Sequence, residues 1–128
     1  EIIDAILENK NNLKKIIKIV HYEVRNKLNI FLKKNKNKKI VVLDIPLLLE
    51  NKINKRNDIL VFVESKRSEI LKRLKKRENY NAKLLKNFKK IQLPLDLKIK
   101  KSQFIIKNNF NKNSVKIEVR NILKILNK

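Results

Sequence analysis

An unbroken apolar run, IVVL at residues 40–43, leads straight into DIPLLLE at residues 44–50. Such a β-branched run predicts a strand covered on both faces, as in a parallel α/β sheet. Asp44 then stands at the strand's carboxyl end, where open α/β sheets bind ligands. Pro46 ends the strand, because it has no N–H to offer a ladder. Glu50 closes the apolar stretch that follows. A carboxylate so placed can hold a Mg2+ hydration shell or a hydroxyl, which points to nucleotide chemistry. The competing role is a solvated strand-end Asp followed by a core-filling Leu triplet.

The rest of the chain alternates helical and strand patterns. Residues 1–8 read as the tail of a helix. Asn11 and Asn12 offer an N-cap to a long amphipathic helix over 13–33, with Leu13, Ile16, Ile17, Val20, Val24, Leu28 and Phe31 at helical spacing. The polar run KKNKNKK, 33–39, is a loop, and 46–56 is a connector with room for a helical turn. ILVFV, 59–63, is a second buried strand. Ser65 or Ser68 caps a helix running to about Arg77. Asn81 caps the next helix, which Pro94 ends; 95–102 is a short basic piece. Residues 104–106 form a third strand, 108–113 an Asn-rich turn, and Ser114 caps a last helix. This order predicts an α/β fold with a parallel sheet.

Composition narrows the function classes. Lys and Arg number 34 against 12 Asp and Glu, a formal net charge of +22. Such a field suits nucleic acid or an anionic small molecule. Lys, Asn and Ile dominate, however, and A/T-rich codons supply all three wherever a surface tolerates them. The charge is spread along the chain, and only two Tyr and five Phe are available to stack bases. Nucleic acid is therefore not the expected partner. Cys is absent and His21 is the sole His, which excludes disulfides, thiolate metal sites and His-rich zinc sites. No apolar stretch approaches the ~18 residues of a membrane span. The lack of disulfides fits the cytoplasm.

The chain has no Met, begins at Glu1 and contains no Gly. A Walker-type phosphate loop needs Gly so that backbone N–H groups can approach phosphate. The expectation is a chain incomplete at its amino terminus, with such a loop and a first strand upstream of Glu1.

Five motifs, in order, resemble dephospho-CoA kinase, a family of P-loop kinases with a nucleoside-monophosphate-kinase-like fold. DIPLLLE matches the family's D-[VI]-P-L-L-[FL]-E at every position. HYEVR, 21–25, is similar to H-P-x-V-R, with Tyr22 in place of Pro. LKRLKKR, 71–77, matches L-x-R-L-x-x-R. Gln92 follows Arg77 by fifteen residues, with Pro94 and Lys98 after it. SQFIIKN, 102–108, retains the Ile and Asn of A-D-x-V-I-x-N but not its Ala and Asp.

The resemblance implies transfer of the ATP γ-phosphoryl to the ribose 3′-hydroxyl of dephospho-CoA. It implies ATP and Mg2+ as cofactors and a cytoplasmic enzyme with small-molecule partners. Asp44 and Arg77 would be catalytic, with Asp44 meeting Mg2+ through water or orienting a substrate hydroxyl. The family carries a further Asp, the base on that hydroxyl, in its amino-terminal part. Arg73, Arg77, Gln92 and Asn108 would serve the nucleotide. His21, Arg25, Pro46, Leu47 and Glu50 would serve the acceptor. Arg73 and Arg77, four apart, are expected on one helix face, where guanidinium forks grip phosphates. Each has a plainer competing role: a basic solvated face for the arginines, a structural His for His21, a surface position for Arg25, a helix-end polar group for Gln92, a turn-forming Asn for Asn108.

The regions implied are an acceptor-binding helical part at 1–39, a core sheet with crossover helix at 40–77, a lid-like segment at 78–101 and a last strand and helix at 102–128. One departure stands out. The family's lid Arg, four or five positions before the Gln, is replaced here by Phe88 or Asn87, with Lys86 and Lys89 beside them. A basic RNA-binding module, or a P-loop kinase for another nucleotide, are the rival functions.

Overall fold

A computed structural model describes residues 2–127. They form two compact units. One holds the chain up to Lys55 together with Ala82–Gln92; the other holds Arg56–Asn81 and everything from Leu93 on.

The first unit is helical. Helix α1, Ile2–Glu8, is followed after one residue by α2, Lys10–Lys34. The break falls at Asn9, whose extended backbone and side-chain oxygen, accepting from the Asn11 N–H at 2.8 Å, start the new helix. The cap is therefore Asn9 and not Asn11 or Asn12. The Asn12 amide instead ties the two helices, donating to the Ala5 carbonyl at 3.0 Å. Helix α1 packs on α2 and on α3, Ala82–Ile91, which follows Asn81 directly. Ile6 and Leu13, 6% and 9% exposed, centre this packing.

Residues 40–45 are not a strand. They run extended, with Val41, Leu43 and Ile45 half-buried and Val42 and Asp44 exposed, a period of two. No described residue pairs with their backbone, and without a ladder an extended run is not a sheet strand. Val42 is 81% exposed, so the expected cover on both faces is absent from this segment.

The second unit is α/β. Strand β1, Val61–Glu64, pairs in parallel with β2, Phe104–Lys107, in the register Val61 with Phe104 through Glu64 with Lys107. The chain between them includes α4, Arg67–Lys75, and α5, Leu95–Lys101. The basic piece after Pro94 is thus a helix, with Pro94 at its N-cap, where a missing N–H costs nothing. Lys66 occupies the N-cap of α4 with no side-chain bond, so neither Ser65 nor Ser68 caps it.

Gln103 begins the ladder from both its backbone and its side chain. Its N–H donates to the Leu60 carbonyl at 2.9 Å, and its Oε1 accepts the Leu60 N–H at 2.7 Å. The last helix, α6, Lys112–Leu126, packs on β2, and Ile106 beneath it is 8% exposed. Asn111 caps α6, accepting from the Asn113 N–H at 2.9 Å. Ser114 lies inside the helix, its hydroxyl donating to Asn109 Oδ1 at 2.7 Å.

Leu47, Lys52 and Phe110 all have positive φ, at 56°, 50° and 63°. A chain without Gly must place ordinary residues there, at roughly 1–2 kcal/mol each. Lys52 is exposed. Lys52→Gly is expected to raise stability by about 0.5–1 kcal/mol, the strain relieved less the freedom Gly adds to the unfolded chain. The denaturant midpoint reads it; a lowered midpoint would mean that the Lys52 side chain contributes more than its backbone strain removes.

Candidate functional site

DIPLLLE ends in a compact turn. Leu47 turns left-handed, and the chain wraps so that the Asn51 N–H donates to the Leu47 carbonyl at 3.1 Å and the Ile53 N–H to that of Leu48 at 3.1 Å. The Asn51 side chain donates to the same Leu47 carbonyl at 2.8 Å. The connector thus holds a helical turn.

Helix α2 meets this turn through His21 and Arg25 of HYEVR. His21 and Arg25 are one helical turn apart and so share a face. His21 Nε2 lies 2.8 Å from Asn51 Nδ2, and Arg25 Nη2 donates to the Asn51 carbonyl at 2.9 Å. HYEVR and DIPLLLE, separate in sequence, are thereby joined. Arg25, Asp44 and Pro46 are exposed; His21, Leu47 and Glu50 are half-buried. Asn51 joins the motifs and carries no sequence signal of its own in an Asn-rich chain. Only its place four residues after Leu47, at helical spacing, hints at it.

Gln92 is exposed just past α3, its N–H donating to the Lys89 carbonyl at 3.3 Å. Phe88 and Asn87 are half-buried on α3, while Lys86 and Lys89 are exposed. At these positions the helix carries a packing residue and point charges where the family pattern has an Arg fork.

In the second unit, Arg73 and Arg77 do not share a helix. Helix α4 ends at Lys75 with Lys76 as its C-cap, so Arg77 sits in the bend beyond, its N–H donating to the Leu74 carbonyl at 3.1 Å. The Arg73 guanidinium lies over the Phe110 ring, 3.8 Å from its centroid. This contact brings α4 to the loop after β2.

That loop is built from Asn turns. Asn108 donates its N–H to the Glu64 carbonyl at 2.7 Å, and its side-chain oxygen accepts the Phe110 N–H at 2.9 Å. The turn-forming role of Asn108 is therefore present, and it supports the left-handed Phe110. Lys107 donates its N–H to Glu118 of α6 at 2.6 Å. An open groove of about 370 Å³ lies here, lined by Asn108, Phe110, Lys112, Val115, Lys116 and Val119 among others. It pairs an apolar floor with Lys side chains. The aromatic Phe110 was not singled out from sequence, where it looked like one more residue of an Asn-rich turn.

Among the described residues, no three His, Cys, Asp or Glu side chains cluster as a metal cage. No described helix is long and apolar enough to cross a membrane.

These features define an α/β protein with a parallel sheet, in which a carboxylate-bearing turn is fastened to a basic helix. The chain belongs to the dephospho-CoA kinase family, a family of P-loop kinase fold, whose model matches residues 2–114. A dephospho-CoA kinase of Fusobacterium nucleatum is 35% identical over 110 residues, 84% of this chain and 55% of that protein. One of Wolbachia pipientis wMel is 36% identical over 118 residues, covering 91% and 60%. One of Bacillus anthracis is 32% identical over 124 residues, covering 94% and 61%. The chain thus spans somewhat over half the length of these relatives.

Proposed function

We propose that this chain serves ATP-dependent phosphorylation of the 3′-hydroxyl of dephospho-CoA, a cytoplasmic reaction that yields CoA. The observation that carries this reading is the clasp between two family motifs: His21 and Arg25 of HYEVR both reach the Asn51 turn that closes DIPLLLE. Phosphoryl transfer of this kind depends on positioning and charge neutralisation more than on covalent catalysis.

The roles divide accordingly. Arg25 and His21, with Pro46, Leu47 and Glu50 around the turn, receive the acceptor. Asp44, exposed at the end of its extended run, orients the acceptor hydroxyl or a water of Mg2+. Mg2+ when bound neutralises charge on the nucleotide's phosphate oxygens. A lone carboxylate fits an ion carried by those phosphates, since Mg2+ keeps several waters and needs few protein ligands. Arg77 grips phosphate. Asn108 lines the groove, which suits a purine base, and Arg73 serves the nucleotide from over the Phe110 ring. Gln92 serves the nucleotide as well, with Lys86 or Lys89 supplying charge in place of the missing fork.

The test is ADP release by the complete protein with ATP and dephospho-CoA. Release independent of dephospho-CoA would overturn the reading. Arg25→Ala is expected to raise the KM for dephospho-CoA by about tenfold or more, the loss of a charge-assisted hydrogen bond, and that for ATP far less. Equal effects on both would assign Arg25 to holding the turn alone.

A further inference from the structure

The Asn51 side chain settles a proton that no backbone feature determines. Its amide nitrogen lies 2.8 Å from the Leu47 carbonyl, which can only accept. Exchanging the amide's nitrogen and oxygen would set two acceptors at that distance, so the orientation is fixed by its partner. The same nitrogen is 2.8 Å from His21 Nε2. Nitrogen that donates to Leu47 has a second N–H for the ring and no lone pair to accept with. His21 Nε2 must therefore accept, and the neutral ring carries its proton on Nδ1.

We infer that Asn51 is a positioning residue, which fixes His21 as the Nδ1–H tautomer while its carbonyl seats Arg25 against the DIPLLLE turn. The consequence for the acceptor rests on the function proposed above; the geometry does not. Asn51 also fastens the left-handed Leu47 by two bonds to one carbonyl, from its N–H at 3.1 Å and its side chain at 2.8 Å. Asn51 and His21 are both half-buried, so water competes less for their bond than at an open surface. The ring is thus left with Nδ1–H as its donor to offer. The Arg25 contact takes one N–H of a guanidinium that has five.

His21 is the sole His in the sequence, so its ring nitrogens give an unambiguous signal. Long-range proton–nitrogen correlation spectra of the 15N-labelled chain at alkaline pH are expected to show the Nδ1–H form. A His in open water prefers the Nε2–H form. Asn51→Leu removes the donor, and Asn51→Asp sets an acceptor against Nε2; both are expected to move the proton to Nε2.

The wild-type spectrum decides even if a variant does not fold, and an Nε2–H ring there overturns the inference. Nδ1–H persisting in folded Leu and Asp variants overturns it as well. In the complete protein, Asn51→Leu is expected to lower kcat/KM for dephospho-CoA by about three- to tenfold, the loss of one or two neutral hydrogen bonds. If the tautomer switches and that ratio does not move, the positioning stands and the acceptor role of His21 and Arg25 falls.

Discussion

Asp44→Asn in the complete protein is expected to lower turnover with ATP and dephospho-CoA by a factor on the order of 10² or more, the scale of a lost electrostatic contribution to phosphoryl transfer. Asn keeps the shape of Asp and removes its charge. Asp44 is exposed, so the change leaves no buried group unpaired and folding should survive it. Its neighbours Leu43 and Ile45, half-buried on the opposite side of the extended run, keep that run in place. A thermal midpoint close to wild type alongside the lost turnover would separate chemistry from stability. Near-normal turnover would show that Asp44 is a solvated Asp at the end of its extended run, and that another carboxylate meets the hydroxyl or the ion.

The helices were legible because their signal is local. Apolar residues at helical spacing mark α2, α3 and α6 to within a few residues. The caps were not, because Asn recurs: at Asn9, Asn11 and Asn12, and again from Asn108 to Asn113, several side chains can cap. The residue chosen is the one whose backbone is extended just before the first turn, as at Asn9 and Asn111. Composition does not carry that choice. Residues 40–45 show the converse. Their apolar pattern specifies extended chain, and the chain is extended, but a strand also needs a partner that lies elsewhere in the sequence.

The site divides in the same way. HYEVR and DIPLLLE could be found as motifs, and His21 and Arg25 could be placed on one helix face by spacing alone. Their meeting at Asn51 could not, because it runs through one Asn side chain and one backbone carbonyl across 30 and 26 residues. Phe110 was hidden for another reason. A bulky residue at positive φ has no sequence signature, and Gly, which would have marked the position, is absent from this chain.

The two arginines of LKRLKKR should part company under the same substitution. Arg77→Lys in the complete protein is expected to lower kcat/KM for ATP by about 10- to 100-fold, and Arg73→Lys by less than about tenfold. The larger figure follows from a fork that grips phosphate through two N–H groups, where an ammonium offers a point charge. Arg77 can take that role because it lies past the C-cap of α4, exposed in the bend that leads to Tyr80, whose N–H donates to the Arg77 carbonyl at 3.0 Å. Arg73 is already engaged: its guanidinium lies over the Phe110 ring, 3.8 Å from the centroid. A Lys there keeps a cation near the ring and near the carbonyl end of α4, and gives up only the stacking part of the contact. The two variants should also differ in kind. Arg77→Lys should reduce kcat, since a phosphate grip tightens as charge develops, whereas Arg73→Lys should act mainly on the KM for ATP through the Phe110 loop. Equal losses from both would mean that α4 binds phosphate as a diffuse basic face, and raising the salt would then weaken ATP binding alike in the wild type and both variants.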